Sequence, residues 1–148
     1  MCEDCEGKNG INYYNVLECT SRKTGEFIDW VKKQDFYNDT VIVIAGDHLY
    51  MEARIYADAP EGYERKVYFN VINSDKKQPA NPRQYTTMDI FPTTLSALGC
   101  NIAGDRLGLG TDLYSGTETL TEIMGEKQFD NELHRNSSYY KKNILYSK

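Results

Sequence analysis

Two adjacent side chains, Asp47 and His48, have the types and the position to bind a metal ion. They follow Gly46 and a β-branched run at residues 40–45, where a strand gives way to a loop. An aspartate offers a hard anionic oxygen and a histidine a borderline nitrogen, a pair that suits Mn²⁺ or Zn²⁺ better than Ca²⁺. The pattern indicates a metal site, with a turn aspartate beside a packed histidine as the alternative.

The secondary-structure elements predicted around this pair indicate an α/β sheet. Residues 12–34 read as one long amphipathic helix, and residues 40–45 as a strand buried on both faces. Ligands gather beyond the carboxyl ends of the strands in such sheets, because loops there present side chains from a rigid base. The predicted apolar face of the helix consists of Tyr13, Val16, Leu17, Thr24, Phe27, Ile28 and Val31.

Further elements follow along the chain. Residues 65–73 read as a second strand and residues 74–84, which carry two prolines, as a surface loop. Residues 86–99 predict a helix whose apolar members should face the sheet, and residues 117–124 and 129–137 predict short helices. The predicted caps of the helix at 86–99 are Thr86, Thr87, Asp89 and Gly99, and its sheet-facing members are Phe91, Leu95 and Leu98.

The composition, the net charge and the length of the apolar runs exclude several classes of function. The 148 residues, 40% hydrophobic and 26% charged, suit one folded, soluble domain rather than a disordered segment. A net charge of −5 offers no broad cationic surface for nucleic acid, so we expect no such partner. The longest apolar run, residues 41–45, is far shorter than the about 20 residues that a bilayer span needs. The acidic N-terminus lacks the features of a signal peptide.

The segments around Asp47 and His48 resemble the lipoteichoic acid synthase and phosphoglycerol transferase branch of the sulfatase-like alkaline phosphatase superfamily. The matching segments run from Gln34 through Gly46, Asp47, His48 and Leu49, and they cover most of residues 34–110. In that family the Gly-Asp-His triplet closes a core strand. The other two matching blocks are Thr86-Thr87-Met88-Asp89-Ile90-Phe91-Pro92-Thr93-Thr94-Leu95 and Gly104-Asp105-Arg106-Leu107-Gly108-Leu109-Gly110.

The resemblance implies a fold and a reaction. The chain would be the C-terminal part of a sulfatase-like α/β domain, a central sheet flanked by helices, with residues 1–148 forming a single partial domain. A threonine in such enzymes attacks phosphatidylglycerol, forms a glycerophosphoryl intermediate and passes it to a cell-envelope polymer or glycan. Asp47 and His48 would be ligands of a divalent metal, Mn²⁺ first, with Zn²⁺ or Mg²⁺ as alternatives. The full-length protein would work at the extracellular face of the cell membrane.

The family's nucleophile and its remaining site residues are expected outside these 148 residues. The threonine nucleophile, a metal-binding glutamate, and a substrate-binding arginine and histidine lie upstream of the matching segments in the family. Thr86 and Thr87 precede a helix and read as caps rather than as nucleophiles. We therefore expect the chain alone to be inactive, with the missing N-terminal half as a possible partner and a glycerophosphate diester or phosphatidylglycerol-type lipid as substrate of the whole.

The chain has four cysteines, at positions 2, 5, 19 and 100, which could be free thiols, disulfides or zinc ligands. Residues alone favour free thiols or disulfides over zinc, because a structural zinc site needs four ligands. The extracellular setting that the resemblance implies favours at least one disulfide, joining Cys19 to Cys2 or Cys5.

Other functions and candidates remain. A sulfatase-like hydrolase, a non-catalytic sulfatase-like module, and a redox or zinc module built on Cys2 and Cys5 are the alternatives. Arg106 is interpreted as a structural ion-pair partner, with a phosphate contact as the alternative, and His134 as solvent-exposed. Trp30 is assigned to packing or to a helix-facing groove. Residues 108–110 lack the lysine and hydroxyl residue of a phosphate-binding loop.

Overall fold

The computed structural model describes residues 12–51, 56–57 and 59–146, and the chain divides into two units, residues 1–40 and 41–148. In the first unit, helix α1 spans Asn12–Val31, and a short 3₁₀ turn follows at Tyr37–Asp39. The predicted helix is present and ends three residues before position 34. Tyr37 starts the 3₁₀ turn through a hydrogen bond from its N–H to the carbonyl of Gln34, 3.0 Å.

The buried side of α1 differs from the predicted one. Asn15, Cys19 and Val31 are buried, whereas Val16, Leu17 and Phe27, assigned to the apolar face, are exposed. The assignment of those three was wrong. Asn15 and Cys19 lie four residues apart on one side of the helix, and Cys19 is disulfide-bonded.

Aromatic side chains pack on each other along the exposed surface of this unit. Phe27 stacks on Trp30 with ring centroids 5.9 Å apart, and Trp30 meets Phe36 edge-on at 6.3 Å. Trp30 is therefore a packing residue, as predicted, although 52% of it stays exposed.

In the second unit, strand β1 (Ile42–Ala45) pairs antiparallel with β2 (Phe69–Ile72). The register joins Ile42 to Ile72 and Ala45 to Phe69. The Gly46 N–H donates to the Tyr68 carbonyl at 2.8 Å and continues the pairing by one bond. Both predicted strands are present but shorter than predicted.

Burial of β1 on both faces was a wrong prediction. Its first three residues are half-buried and Ala45 is exposed. Within the described part of the chain, β1 has a single neighbouring strand in a two-stranded sheet, so a wholly apolar sequence does not by itself give a central, covered strand.

Helix α2 (Ile90–Ala97) begins as the sequence predicts. A 3₁₀ turn at Thr87–Asp89 precedes it, and Thr86 and Asp89 form a reciprocal capping box. The Asp89 carboxylate accepts from the Thr86 N–H at 2.8 Å. At the other end Gly99 adopts φ 86°, the left-handed conformation that suits glycine after a helix. The prediction that Thr86 is a cap is confirmed.

The buried face of α2 is the opposite of the predicted one. Phe91 is 62% and Leu98 57% exposed, and Leu95 is half-buried. The buried residues are small or polar: Pro92, Thr93, Ser96 and Ala97. Close approach of a second hairpin, β3 (Arg106–Leu107) with β4 (Gly110–Thr111), requires small side chains on this side.

A buried polar network joins α2 to this hairpin. The Asp89 carboxylate, 2% exposed, accepts from the Thr111 N–H at 2.7 Å. The Thr93 hydroxyl donates to the Asp89 carbonyl at 2.6 Å and accepts from the Leu113 N–H at 3.0 Å. Each buried carboxylate or hydroxyl oxygen named here thus has a partner, which offsets the cost of taking it out of water.

The C-terminal part contains helices α3 (Leu120–Met124), α4 (Glu126–Leu133) and α5 (Ser138–Tyr140), followed by a π-helical turn at Lys141–Leu145. Both predicted short helices are present, with α4 starting and ending earlier than predicted. Thr119 caps α3 in a second capping box with Glu122. No helix in the described ranges has the length and apolar character that crossing a membrane requires.

One arginine ties the proline-containing loop to α3. Arg83 forms an ion pair with Glu122 at 2.8 Å, with both side chains more than four-fifths buried. Its guanidinium also donates to the carbonyls of Leu113, Ser115 and Thr117 at 3.3, 3.0 and 2.7 Å. We call this set of contacts the Arg83 clasp. Helices and small sheets together give the α/β class that the sequence predicts.

Candidate metal centre

Asp47 and His48 lie where the sequence places them, directly after β1 and Gly46. Gly46 makes a close approach to the chain before β2: a Cβ there would lie 2.9 Å from the Val67 Cγ1 atom, so the Val67 side chain would have to shift. The backbone can thus leave β1 close to the partner strand and turn immediately into the loop. The rigid end of the strand fixes where the two side chains begin.

Backbone hydrogen bonds orient both side chains. The Asp47 Oδ1 accepts from the His48 N–H at 2.9 Å. The His48 Nδ1 lies 2.8 Å from the Leu49 carbonyl oxygen. A carbonyl can only accept, so Nδ1 carries the proton of this bond, and Nε2 of the neutral ring keeps its lone pair. Metal-binding histidines commonly use such a bond to fix their tautomer.

The remaining donor atoms converge. The His48 Nε2 lies 3.6 Å from the Asp47 Oδ2. Two ligand atoms held about 2.1 Å from a tetrahedral ion lie about 3.4 Å from each other, so the observed spacing fits one shared ion. The two side chains thus lie beside each other at the end of the strand, and their role as a metal site stays a prediction.

The pair is open to solvent. The His48 side chain is 63% and the Asp47 side chain 89% exposed. Among the described residues, no group of three or more histidine, cysteine, aspartate and glutamate side chains is placed to hold a metal ion. Two protein ligands leave most coordination positions to water or to other groups, which predicts weak binding by these residues alone.

The contacts that Arg65 makes near this loop were not predicted from the sequence. The Arg65 guanidinium donates to the Tyr50 carbonyl at 3.0 Å and lies 4.8 Å from the centre of the Tyr56 ring. It thereby fixes the chain two residues after His48. Positions 50 and 65 have no local sequence signal that links them, so this pairing could not be predicted.

The other candidates have structural roles. Arg106 donates to the Glu118 backbone carbonyl at 2.7 Å, not to the acidic side chain that the sequence suggested. His134 is exposed, as predicted, and its Nδ1 contacts the Asp130 carbonyl at 2.8 Å. Thr86 is committed to the α2 cap.

Cysteine chemistry is settled in part. Cys19 is disulfide-bonded, which confirms the expectation of at least one disulfide, and its partner lies outside the described residues. Cys100 is an exposed free thiol. The zinc alternative built on Cys2 and Cys5 falls outside the described residues.

Comparison with known proteins defines the class. The family model named Sulfatase matches residues 4–100, and the chain belongs to the sulfatase family. The resemblance seen in the sequence is therefore confirmed, together with the α/β fold class.

Curated relatives of the chain include proteins named phosphoglycerol transferase I. Phosphoglycerol transferase I of Salmonella choleraesuis (strain SC-B67) is 29% identical over 121 residues, which cover 81% of this chain and 15% of that protein. Phosphoglycerol transferase I of Salmonella typhi is 30% identical over the same length and coverage. The chain thus spans about 15% of the length of the relatives it matches. No solved structure matches the chain.

Proposed function

We propose that this chain is part of a metal-dependent phosphoglycerol transferase, which moves glycerophosphate from a phosphatidylglycerol-type lipid to a cell-envelope polymer or glycan. Asp47 and His48 hold a divalent ion, Mn²⁺ first, with Zn²⁺ or Mg²⁺ as alternatives. The observation that carries the proposal is the convergence of the Asp47 Oδ2 and His48 Nε2 atoms at 3.6 Å. Its chemical setting comes from the sulfatase family match and the relatives' name.

In this proposal the residues of this chain bind and orient the metal ion, and none of them is the nucleophile. Gly46 leaves room for the Val67 side chain, the Leu49 carbonyl keeps the His48 proton on Nδ1, and Asp47 contributes negative charge. When bound, the ion supplies positive charge that activates a hydroxyl nucleophile and stabilises phosphoryl oxygens. We place the nucleophile and the remaining ligands in other parts of the longer protein, at the extracellular face of the membrane.

Metal binding by the isolated chain tests the first part of the proposal. Titration with Mn²⁺, followed by the electron paramagnetic resonance signal of the free ion, should show one weak site. His48→Ala and Asp47→Ala should each weaken binding about tenfold or more, because one of two ligands is lost. His134→Ala is the matched control, since it removes the other histidine, which is also mostly exposed. Equal Mn²⁺ binding by His48→Ala and His134→Ala would contradict the assignment.

Turnover tests the second part. The chain alone should release no chromophore from a glycerophosphate diester, whereas the longer protein should do so with Mn²⁺ and lose the activity on His48→Ala. Groups that act as a unit lose nearly all activity when one is removed. An aryl sulfate assayed in parallel separates transfer of phosphoglycerol from sulfatase-like hydrolysis, which the family match also favours. Turnover by this chain alone at an enzyme-like rate would contradict the placement of the nucleophile.

A further inference from the structure

The segment after α4 differs in charge from the rest of the chain. Residues 135–148 contain four of the 17 lysine and arginine residues and none of the 22 acidic residues. Their side chains therefore carry +4, whereas the 13 basic and 22 acidic residues of the remaining chain give −9. A negatively charged partner is attracted to this segment and repelled by the rest, so the segment decides which surface it meets.

Two lysines of this segment are not committed to ion pairs within the described chain. Arg135 pairs with Glu132 at 2.7 Å, which reduces its part in attracting a partner. Lys141 and Lys142 have no ion pair with a residue that the structure describes, and both are exposed. They are adjacent in the π-helical turn that follows α5. The two lysines are therefore the cations that a negatively charged partner would contact.

Large apolar side chains surround these lysines and remain uncovered. Every residue from Tyr139 to Tyr146 is exposed, and Tyr146 is 74% exposed. The large apolar members of this stretch are Tyr139, Tyr140, Ile144, Leu145 and Tyr146. Five large apolar side chains within eight residues form a contiguous patch of the kind that marks an interaction surface.

Local hydrogen bonds hold the backbone that presents this patch. The Ser137 hydroxyl oxygen caps α5 by accepting from the Tyr140 N–H at 3.1 Å. The Tyr146 N–H donates to the Lys141 carbonyl at 3.0 Å and closes the π-helical turn. The segment therefore has its own helical structure and presents its side chains outward from it.

The combination of side chains favours a lipid surface as the partner. Tyrosine rings are enriched where lipid headgroups meet acyl chains, and lysine places its charge among headgroups while its stem lies on apolar surface. Aliphatic side chains enter the acyl boundary. A nucleic acid would engage the lysines and tyrosines but would leave Ile144 and Leu145 in water.

We propose that residues 138–146 bind the surface of a negatively charged membrane. Lys141 and Lys142 contact lipid phosphates, and Ile144, Leu145 and Tyr146 lie at the boundary with the acyl chains. The proposal rests on the charge and the exposure of this segment and not on the metal pair. It is therefore tested without metal and without turnover, and its failure would leave the proposed function standing.

The test is sedimentation of the 148-residue chain with vesicles of phosphatidylglycerol and phosphatidylcholine in equal amounts, and with vesicles of phosphatidylcholine alone. In about 0.1 M salt the Debye length is about 10 Å, so acidic residues farther from the membrane contribute little repulsion. The chain should bind the mixed vesicles and sediment much less with pure phosphatidylcholine.

Lysine variants measure the electrostatic part. The double variant Lys141→Gln with Lys142→Gln should bind the mixed vesicles about tenfold more weakly or less, since each basic residue near an anionic surface contributes a factor of about five. The double variant Lys76→Gln with Lys77→Gln is the matched control, because it removes another adjacent and exposed lysine pair. It should bind like the unmodified chain.

A leucine variant measures the apolar part. Leu145→Gln should weaken binding to the mixed vesicles about fivefold, because a polar side chain replaces one that leaves water on binding. Leu98→Gln is its control, since Leu98 is 57% exposed and Leu145 is 56% exposed. Leu98→Gln should leave vesicle binding unchanged.

Four results would overturn the proposal: equal sedimentation with both kinds of vesicle, equal affinity of the two double lysine variants, equal affinity of the two leucine variants, or tighter binding to a single-stranded oligonucleotide than to the mixed vesicles. Circular dichroism reports whether each variant folds. If Leu145→Gln does not fold, the double lysine variants decide the outcome, because all four lysines are exposed.

Discussion

At Asp47 and His48, backbone groups decide which side-chain atoms remain for a ligand. The His48 N–H takes one oxygen of Asp47 and the Leu49 carbonyl takes Nδ1, which leaves Oδ2 and Nε2 facing each other. The sequence pattern could predict which two residues form the pair and that they follow a strand. It could not predict how the two side chains are oriented, because that depends on hydrogen bonds made by the turn.

The Glu122 carboxylate is the clearest titrating group for a stability measurement. The hydrogen bonds from Arg83 lower its pKa to about 2 from an ordinary value of 4.5, and N–H groups of Thr119 and Gln84 add to the effect. A carboxylate with a lowered folded-state pKa stabilises the fold above its unfolded pKa and loses that contribution as pH falls. The Glu122 contribution should therefore be complete above pH 4.5 and disappear between pH 4.5 and about 2.

Replacing Glu122 by glutamine should remove this dependence. We expect Glu122→Gln to reduce the free energy of unfolding by about 1–3 kcal/mol at pH 7, with a smaller difference at pH 3, because charge-assisted hydrogen bonds to Arg83 are lost. Urea unfolding at both pH values measures it. Glu64→Gln is the control, because its ion pair with Lys66 is about four-fifths exposed. A loss equal at pH 7 and pH 3 would argue against the Arg83 bond as the cause.

Gly110 is a position where no side chain fits. A Cβ there would collide with the Met88 backbone carbonyl and lie 3.1 Å from the Pro92 Cγ. Because a carbonyl on the turn before α2 cannot rotate away, Gly110→Ala should destabilise the fold by about 1–3 kcal/mol or more. Gly116→Ala, which meets nothing within 4 Å, is the matched control for thermal unfolding. Equal melting temperatures for the two variants would contradict this close approach.

At the scale of elements, α2 shows what hydrophobic spacing cannot decide. Phe91, Leu95 and Leu98 have helical spacing, but so do the residues that are buried instead: Pro92, Thr93, Ser96 and Ala97. Hydrophobicity alone predicts that the three large apolar residues are buried. In the structure the small and polar residues are buried instead, because Thr93 bonds to Asp89 and Leu113, and because small residues permit contact with β4. Its caps depend on local bonds and were predictable; its buried face depends on partners distant in sequence.

Substitutions on the two faces of α2 measure this difference. Phe91→Gln and Leu98→Gln should each change the stability of the chain by about 0.5 kcal/mol or less, since both side chains are mostly exposed. Thr93→Val should cost about 1–3 kcal/mol, because the buried Leu113 N–H loses its acceptor. Chemical unfolding of the three variants gives the comparison. A larger loss of unfolding free energy for Phe91→Gln than for Thr93→Val would contradict the buried face described here and support the face that the sequence predicted.

At the scale of the whole molecule, the sequence could predict the class better than the arrangement. Blocks around Gly46, Asp47 and His48 and around Thr86 were sufficient to indicate the sulfatase family, which the match over residues 4–100 confirms. The Arg83 contacts with Glu122 and the Asp89 contact with Thr111 could not be predicted, since they join residues that no local pattern relates.

The Arg83 clasp has a consequence for local opening. One guanidinium holds the carbonyls of Leu113, Ser115 and Thr117 and the carboxylate that caps α3. Loss of the Glu122 carboxylate would leave a guanidinium that is more than four-fifths buried without its counter-charge, which is costly, and the three carbonyl bonds depend on the same guanidinium. The segment from Leu113 to α3 should therefore detach from the loop in a single cooperative event. Amide hydrogens from Ser115 to Gly125 would then exchange with solvent at a common opening free energy, as one cooperative unit smaller than the whole fold.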